Sequence, residues 1–503
     1  MMSSYRQHAG GIVQAMQTSP ALEPSRWNGR IFSGTWTEPR GGGHDVLEKA
    51  TGTVLTRVGI ATPADIAVAA KAAAAAQPAW AATPPRDRAA IFRKAIAFFE
   101  AHAEELAHFI ARETGGLIAK GQFEIGEVVV QLQLAASLIL QPQGVVLPSA
   151  PGRLNYAKRV PHGVVGVISP FNFPLLLSMR SVAPALALGN AIVLKPDPQT
   201  AVTGGFFIAR AFEDAGLPPG VLQVLPGAAD AGEAMCTDPN IRMIAFTGST
   251  TAGRRVGELA GKHLKKVALE LGGKNSLIIL DDADLDRAAS NVAWGAYFHQ
   301  GQICMATGRV LVHEAIAAEL TQRLVTKANH LPVGDPTSGQ VALGPLVNER
   351  QRDRVHAIVQ DAIKEGATLE AGGTFERLFY KPTVLSGVRS TMRAFREEVF
   401  GPVANIITFR TDDEAVALAN DTEYGLSTAV ISRAIGRAMA IGDRLNSGIV
   451  HINDQTVNDE ATNPFGGRGA SGNGGSMGGP SDFDEYTQWK WVTVKDQAPL
   501  YPF

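Results

Sequence analysis

The stretch from residue 161 to 196 reads PHGVVGVISPFNFPLLLSMRSVAPALALGNAIVLKP, and its order of patterns decides the fold. Two apolar, β-rich runs, at 163–169 and 191–196, enclose the helical run RSVAPALALGN. A second helical run (203–216) and a third β-rich run (221–227) follow. Parallel strands need a crossover connection, usually a helix, so this βαβαβ alternation predicts an α/β fold with a doubly wound sheet.

The pattern changes on either side of this stretch. The first fifty residues read as irregular, and a helical pattern then runs from Pro63 to about Pro142. A second α/β series begins after Lys274, so we expect a domain boundary close to Gly272-Gly273. The tail WKWVTVKDQAPLYPF alternates like a strand, and such a strand needs a partner, which could belong to another subunit.

The bulk composition is that of a folded protein with more than one domain. A chain of 503 residues is too long for a single hydrophobic core. A formal net charge of -2 gives no electrostatic reason to bind nucleic acid or an anionic membrane, and no apolar run reaches the roughly 18 residues of a membrane span. Two distant cysteines, Cys236 and Cys304, favour a reducing compartment. We expect a cytoplasmic protein and predict no metal site.

Cys304 lies in the stretch YFHQGQICMATGR, residues 297–309. A lone cysteine is more often core filler than a nucleophile. The preceding Gln300-Gly301-Gln302 is not a core-like sequence, however, and it predicts that the thiol lies in a loop. Cys236 has no such neighbours, and we interpret it as structural.

The segment from Phe246 to Gly253, FTGSTTAG, follows a predicted strand and opens a predicted helix. Backbone N–H groups at a helix start form a site for a pyrophosphate, although the spacing differs from the common G-x-G-x-x-G fingerprint. An ordinary strand-to-helix turn is the alternative. Lys195 ends another strand, where it could donate to ribose hydroxyls or phosphate, or could be a solvated lysine.

Two more polar residues follow buried strands. Asn172 stands among rigid apolar neighbours in SPFNFP, and it could shape its own turn or donate from its amide to a developing oxyanion. Glu270 ends an apolar strand in VALELGGK, and its carboxylate could be paired, exposed to solvent, or a base kept near neutral pH by burial. Each signal is weak alone, and their joint occurrence is what matters.

In this order the motifs resemble those of the NAD(P)-dependent aldehyde dehydrogenase superfamily, from about residue 27 to the end of the chain. The motifs are SPFNFP (169–174), LKP (194–196), FTGST (246–250), ELGGK (270–274), GQIC (301–304), EEVFGP (397–402) and PFGG (464–467). The resemblance implies an α/β, aldehyde dehydrogenase-like fold. Such a fold has a Rossmann-type doubly wound cofactor domain, an α/β catalytic domain and a small β oligomerisation arm.

The resemblance implies a role for each residue of a catalytic set that comprises Cys304, Glu270, Asn172 and Lys195. Cys304 attacks the aldehyde carbonyl, and the Asn172 amide, with the backbone N–H of Cys304, stabilises the oxyanion. A hydride then leaves for the nicotinamide ring, and Glu270 activates the water that hydrolyses the thioester. Lys195 and Glu398 are implied to hold the two riboses of NAD or NADP, with Phe400 beside the nicotinamide.

Two further sets of residues are implied by the same resemblance. The cofactor-binding set is Ile168, Ser169, Pro170, Phe171, Lys195, Asp197, Pro198, Gly227, Phe246, Thr247, Gly248, Ser249, Gly253, Leu271, Glu398 and Phe400. The substrate-binding set, an apolar tunnel suited to a flat ring, is Phe173, Leu176, Leu177, Phe298 and Phe465. Each of these last five is also a plausible core residue.

Five segments follow from the resemblance. Residues 1–150 form the N-terminal helical part of the cofactor-binding domain, and residues 162–272 form the dinucleotide-binding domain. The catalytic domain covers 273–480. Residues 151–161 supply an oligomerisation hairpin segment and residues 481–503 a C-terminal oligomerisation strand, so we expect a homodimer or a dimer of dimers.

Longer stretches, among them HQGQICMATGR, HINDQ and GASGNGGSMGGP, resemble bacterial benzaldehyde dehydrogenases and imply an aromatic aldehyde as substrate. Vanillin, salicylaldehyde or broad-range aliphatic aldehyde dehydrogenases are the alternatives. A CoA-acylating member, which typically lacks a Glu270-type base, and a non-catalytic binding protein on the same fold are less favoured. Many NAD-preferring members have a glutamate where this chain has Pro198, so we expect NADP to be accepted alongside NAD.

Overall fold

The computed structural model describes residues 22–503, so the first 21 residues of the predicted 1–150 segment lie outside the described part of the chain. The strands of the described part, in chain order, are β1 (Ile31–Ser33), β2 (Trp36–Thr37), β3 (Gly43–Leu47), β4 (Val54–Gly59), β5 (Gly144–Val146), β6 (Arg153–Pro161), β7 (Val164–Ile168), β8 (Ala191–Lys195), β9 (Leu222–Val224), β10 (Ile241–Thr247), β11 (Lys266–Glu270), β12 (Asn275–Ile279), β13 (Thr307–His313), β14 (Thr368–Ala371), β15 (Phe375–Glu376), β16 (Phe379–Tyr380), β17 (Thr383–Ser386), β18 (Val403–Phe409), β19 (Tyr424–Gly425), β20 (Ser427–Ile431), β21 (Ile449–Ile452), β22 (Arg468–Gly469) and β23 (Thr487–Lys495).

The α-helices surround these strands. In chain order they are α1 (Pro63–Ala82), α2 (Pro85–Ala101), α3 (Ala103–Thr114), α4 (Ile118–Leu138), α5 (Pro174–Ala187), α6 (Phe207–Ala215), α7 (Ala229–Thr237), α8 (Thr250–Lys262), α9 (Leu285–Tyr297), α10 (Glu314–His330), α11 (Glu349–Lys364), α12 (Arg393–Arg396), α13 (Asp412–Asn420), α14 (Ile435–Gly442) and α15 (Ser481–Glu485). In the described part of the chain, no helix is long and apolar enough to cross a membrane.

Seven strands form the first sheet, in the order β11-β10-β7-β8-β9-β1-β2. The first five are parallel, and β1 and β2 add an antiparallel edge. Ile168 pairs with Lys195, and Thr247 pairs with Glu270, so the carboxyl ends of β7, β8, β10 and β11 lie along one edge. The parallel α/β sheet that the 161–196 stretch predicts is confirmed.

Helices cover both faces of this sheet because consecutive side chains of a strand point to opposite sides. In β8, Ala191 and Val193 pack into a core with residues of α1, α7 and α8. Ile192 and Leu194 pack into the opposite core, with residues of α2, α4, α5 and α6. Lys195 lies on the same side of β8 as Ala191 and Val193. It lies close to α7, since a Cβ added at Gly232 would stand 3.4 Å from the Cε atom of Lys195.

The second sheet has the order β14-β17-β18-β13-β12-β20-β21, and all of its pairs except β14–β17 are parallel. It has its own cores on its two faces. The chain passes from the first sheet to the second through residues 271–274, between β11 and β12. Glu270 is therefore the last residue of the first sheet.

A third, antiparallel sheet has the order β23-β6-β5. Its long pair runs from Thr487 opposite Pro161 to Lys495 opposite Arg153. Large apolar side chains on this sheet are exposed, among them Trp491, which is 68% exposed. The sheet thus presents apolar surface along the strand that the tail sequence predicts.

The expectation that the first fifty residues are irregular is wrong for the described part, because β1 and β2 join the first sheet and β3 pairs with β4. Strands β1 and β2 have three and two residues, too few for a two-residue periodicity, and β3 (GHDVL) and β4 (VLTRVG) do not alternate strictly between apolar and polar residues. The helical region up to residue 142 is correct in type, and it is divided into α1 to α4.

Candidate active site

Cys304 lies in a turn between a short 3-10 helix, Phe298–Gly301, and β13. Hydrogen bonds from other elements hold this turn. The side-chain amide of Asn275 donates to the Cys304 carbonyl at 2.8 Å, and the Val347 N–H donates to the side-chain oxygen of Gln302 at 3.0 Å. The loop position predicted from the Gln-Gly-Gln sequence is therefore observed.

The backbone before this turn is strained. His299 (φ 47°) and Gln300 (φ 55°) both adopt the left-handed conformation, and Gly301 (φ 67°) follows them. A left-handed non-glycine residue costs about 1–2 kcal/mol, and such strain persists only where the surrounding structure holds it. The Gln300 side chain donates to the Gly115 carbonyl at 2.8 Å, which is one of the contacts that hold it.

Asn172 lies between β7 and α5, and 4% of its surface is exposed. Its side-chain nitrogen donates a 3.0 Å hydrogen bond to the carbonyl of Gln302, two residues before Cys304. An amide nitrogen carries two N–H groups, so a second one remains for another acceptor. The structure thus brings Asn172 to the Cys304 turn.

Glu270 is buried at the end of β11. Its Oε2 atom has no hydrogen-bond partner among the described residues. Burial raises the pKa of Glu270 well above its usual range, and the positive charge of Arg180 opposes that shift. A carboxyl group in this environment can exchange a proton at a pH where an exposed glutamate is fully ionised.

A partly buried ion pair that no sequence pattern indicated lies beside these residues. Arg180 of α5 pairs with Asp459, and its guanidinium lies 4.5 Å from the centre of the Phe465 ring. The pair is separated by 279 residues, which no local pattern connects. Arg180 is the only charged residue in the stretch LLLSMRSVAPALA, and this was the one signal that could have identified the pair.

The Cys304 thiol is in a poorly solvated environment. Burial raises its pKa to about 12, with a contribution of the same sign from Glu398, whereas Arg180 opposes the shift. The thiol is therefore protonated at neutral pH in this arrangement. Because the thiolate is the nucleophile, attack requires removal of this proton.

Lys195 and the predicted pyrophosphate turn meet at the carboxyl edge of the first sheet. The Lys195 ammonium donates to the Gly227 carbonyl at 2.7 Å, and burial lowers its pKa. Ser249 caps α8 by accepting a hydrogen bond from the Ala252 N–H at 3.4 Å. A Cβ on Gly253 would lie 2.2 Å from a terminal methyl of Leu271, so the start of α8 packs closely against the residue that follows β11.

Glu398 and Phe400 reach the same edge from the second sheet's side. The Glu398 carboxylate accepts a hydrogen bond of 3.2 Å from the Gly273 N–H, and burial raises its pKa to about 7. Phe400 has a left-handed backbone (φ 56°), and its ring meets that of Phe171 edge-on at 5.8 Å.

The other predicted cofactor residues lie at or directly after the strands that end at this edge. They are Ile168, Ser169, Pro170 and Phe171 with β7, Asp197 and Pro198 after β8, Gly227 after β9, Phe246, Thr247 and Gly248 with β10, and Leu271 after β11. Asp197 uses its carboxylate to accept the Gln199 N–H at 2.9 Å. Contacts of this set with a cofactor stay a prediction.

The five predicted substrate residues form one apolar cluster with Cys304. Its members are Phe173, Leu176, Leu177, Phe298, Phe465 and Cys304, together with Ile303, Met305, Ala306, Leu426, Ile449 and Val457, which the sequence analysis did not name. Trp294, which is 43% exposed, stacks on Phe298 at 4.6 Å between ring centres. The thiol is thus surrounded by aliphatic and aromatic side chains.

The second cysteine lies elsewhere. Cys236 is buried in α7 on the opposite side of the first sheet, and burial raises its pKa to about 11. Within residues 22–503, no group of three or more His, Cys, Asp or Glu side chains could hold a metal ion.

The aldehyde dehydrogenase family model matches residues 36–492, and the chain belongs to this family. A vanillin dehydrogenase from an Amycolatopsis species is 53% identical, over 96% of this chain and 99% of that protein. A benzaldehyde dehydrogenase [NAD(+)] from Pseudomonas putida is 52% identical, over 95% of this chain and 98% of that protein. The crystal structure of an NAD-dependent aldehyde dehydrogenase from Sinorhizobium meliloti superposes with a TM-score of 0.91 at 36% identity, over 96% of this chain and 98% of that one.

We expect hydrolysis of the enzyme thioester to slow as the pH falls through the pKa of Glu270, because protonation removes the base. Arg180→Met should shift the acid limb of the pH profile, where the hydrolysis rate falls at low pH, to higher pH. Asp459→Asn should shift it to lower pH. The reason is that the Arg180 charge lowers the pKa of Glu270 and the Asp459 charge raises it. Stopped-flow measurement of the hydrolysis rate from pH 5 to 9 would give both shifts.

Glu270→Gln is the control for this prediction. It should slow hydrolysis by about 10²- to 10⁴-fold, as expected for loss of a general base, and remove the acid limb. Reduction of the cofactor in the first turnover should persist. An acid limb that survives in Glu270→Gln would belong to another group.

Proposed function

We propose that the protein oxidises an aromatic aldehyde of the benzaldehyde type to its carboxylic acid, with NAD or NADP. The observation that carries the proposal is the packing of Cys304 in an apolar, partly aromatic cluster, next to Asn172. Such a cluster suits a flat ring. The Pseudomonas putida benzaldehyde dehydrogenase and the Amycolatopsis vanillin dehydrogenase, each more than half identical to this chain, support an aromatic substrate.

The proposed chemistry passes through a covalent intermediate on Cys304. Its sulfur forms a bond to the aldehyde carbon as the thiol proton passes to solvent and the C=O π bond opens, and the second N–H of Asn172 stabilises the resulting oxyanion. Loss of a hydride from the same carbon converts the thiohemiacetal into a thioester. Glu270 then takes a proton from water as that water attacks the thioester, and the C–S bond breaks to release the acid and Cys304.

The carboxyl edge of the first sheet fits a dinucleotide cofactor. Backbone N–H groups at the start of α8 favour a pyrophosphate, and the close approach at Gly253 leaves this helix start next to the sheet edge. Lys195 and Glu398 offer one donor and one acceptor for ribose hydroxyls. NAD or NADP supplies the hydride acceptor when it is bound.

Specific observations disfavour the alternative functions. A buried Glu270 at the end of β11 favours release of the acyl group to water rather than to CoA. The presence of Asn172, Glu270 and Cys304 together disfavours a non-catalytic binding protein. Vanillin and salicylaldehyde differ from benzaldehyde only in ring substituents, so the apolar cluster around Cys304 does not separate these three substrates.

A panel of benzaldehyde, hydroxylated benzaldehydes and linear aldehydes should give the highest kcat/KM for an aromatic member. We expect about a 10- to 100-fold advantage over hexanal, the range that apolar pocket contacts provide. NADH formation, followed by absorbance, measures it, and Cys304→Ala should abolish the activity. Faster oxidation of hexanal than of every aromatic aldehyde would overturn the substrate class, and an acyl-CoA product in the presence of CoA would overturn hydrolysis.

For the cofactor, we expect NADP to be accepted alongside NAD. A carboxylate at position 198 would repel a 2′-phosphate, but Pro198 stands there, and the Asp197 carboxylate is bonded to its own turn. Pro198→Glu should therefore increase the preference for NAD by about tenfold or more, equivalent to about 1.4 kcal/mol. Comparing kcat/KM for NAD and NADP in both proteins tests this. A preference for NAD beyond about a thousandfold in the unaltered enzyme would contradict it.

We further propose that residues 151–161 and 481–503 join subunits, as a homodimer or a dimer of dimers. The sheet β23-β6-β5 exposes the large apolar side chains of Trp489 and Trp491. Exposed apolar surface on one sheet marks a site of contact between proteins. Light scattering after gel filtration should give a mass of two or four chains, and Trp491→Glu should lower it. A mass of one chain at micromolar concentration would refute the proposal. A cytoplasmic location stays a prediction.

A further inference from the structure

Helix α5, which begins two residues after Asn172, has no side-chain cap of its own. Pro174 occupies its first position and Phe173 its N-cap, and a phenyl ring has no hydrogen-bond acceptor. The first N–H groups of any helix lack partners within the helix, and a buried start must find them elsewhere. In α5 the groups concerned are the N–H of Leu175 and the N–H of Leu176, both in the interior.

A carboxylate from another helix supplies the missing acceptor. One oxygen of Glu124, on α4, accepts the N–H groups of Leu175 and Leu176, each at 3.1 Å. The other oxygen pairs with the ammonium of Lys120, one turn earlier on α4. Both side chains of the pair are fully buried. Glu124 therefore caps α5 from the core side, and the charge of Lys120 opposes the rise that burial causes in the pKa of Glu124.

The pair also touches the cluster around the thiol. The Lys120 ammonium lies 4.5 Å from the centre of the Phe173 ring, and Phe173 belongs to the cluster that contains Cys304. A buried ion pair is a poor device for stability, because apolar replacements of similar volume are often neutral or stabilising. A role in fixing position explains its presence better than a role in stability.

The position that it fixes is that of Asn172. The Glu124 carboxylate holds the first turn of α5, and Asn172, two residues before that helix, reaches the Gln302 carbonyl. We propose that Glu124, paired with Lys120, is a positioning residue whose hydrogen bonds to the first turn of α5 hold the Asn172 amide where the oxyanion forms. This inference rests on the proposed function, because it takes the oxyanion role of Asn172 from it.

The test compares two double variants that leave no charge unpaired. Lys120→Met/Glu124→Met removes the cap, and we expect kcat/KM for benzaldehyde to fall by about 10- to 100-fold, as for a displaced catalytic group. Lys120→Met/Glu124→Gln keeps a side-chain oxygen that can accept the same N–H groups, and it should restore kcat/KM to within about threefold of wild type. The dissociation constant of NAD, from fluorescence titration, should be unchanged in both.

A double-mutant cycle with Asn172→Ala distinguishes positioning from general damage. If the pair acts through Asn172, Lys120→Met/Glu124→Met should slow the Asn172→Ala enzyme by less than about threefold more.

Glu113 is the matched control, since it is equally buried and accepts the N–H groups of Val202 (3.1 Å) and Thr203 (2.9 Å) in another segment. Glu113→Gln should lower kcat/KM by the same factor in the Asn172→Ala enzyme as in wild type, so that the two effects multiply.

Each outcome has a separate meaning. The inference would be overturned if Lys120→Met/Glu124→Met lowered kcat/KM by the same factor in the Asn172→Ala enzyme as in wild type. It would also be overturned if Lys120→Met/Glu124→Gln had a wild-type melting temperature but did not restore kcat/KM. If the Met/Met variant does not fold, the rescue variant alone carries the test, and its failure to retain activity when folded would be decisive. A wild-type enzyme that binds NAD but oxidises no aldehyde would refute the proposed function instead.

Discussion

The alternation of side chains along the buried parallel strands is the constraint on which the site depends. It directs Lys195 toward the core that contains α7 and α8, whereas Glu270 follows Ala268 toward the opposite core, which contains α5. Both residues end strands at the same edge of one sheet. A shift of one residue in register would exchange the two faces. The proposed cofactor and catalytic residues therefore share an edge while facing different sides of it.

Burial then sets the proton chemistry on the catalytic side. It raises the pKa of both Glu270 and Cys304, and the Arg180 charge moderates each shift without reversing it. Arg180 can remain charged in this interior because Asp459 pairs with it. A raised pKa makes the ionised Glu270 carboxylate a stronger base toward water, whereas Cys304 must lose its proton before it attacks.

The sequence predicts much of this arrangement because Glu270 ends a strand, Asn172 lies in the loop after one, and Cys304 lies in a loop that its Gln-Gly-Gln neighbours indicate. Cys304, Asn172 and Glu270 each follow a recognisable local pattern, and family resemblance joins those patterns. Pairs of residues far apart in sequence have no local signature, so Arg180 with Asp459 and Glu124 with the start of α5 emerge only from the fold. The short strands β1 to β4 were missed because their stability comes from their partners rather than from their own periodicity.

The way that helices begin at the sheet edge connects these observations. Helices that follow parallel strands start where ligands bind, so a capping side chain in front of such a helix competes with a ligand for the same space. Helix α8 is capped by its own Ser249, whose side chain accepts the Ala252 N–H. Helix α5 is capped by Glu124 from the side of the core, which leaves the residue in front, Asn172, free to turn its amide toward Cys304. Because the buried Glu124 carboxylate caps α5, no capping side chain is needed at the sheet edge, where Asn172 and Cys304 meet.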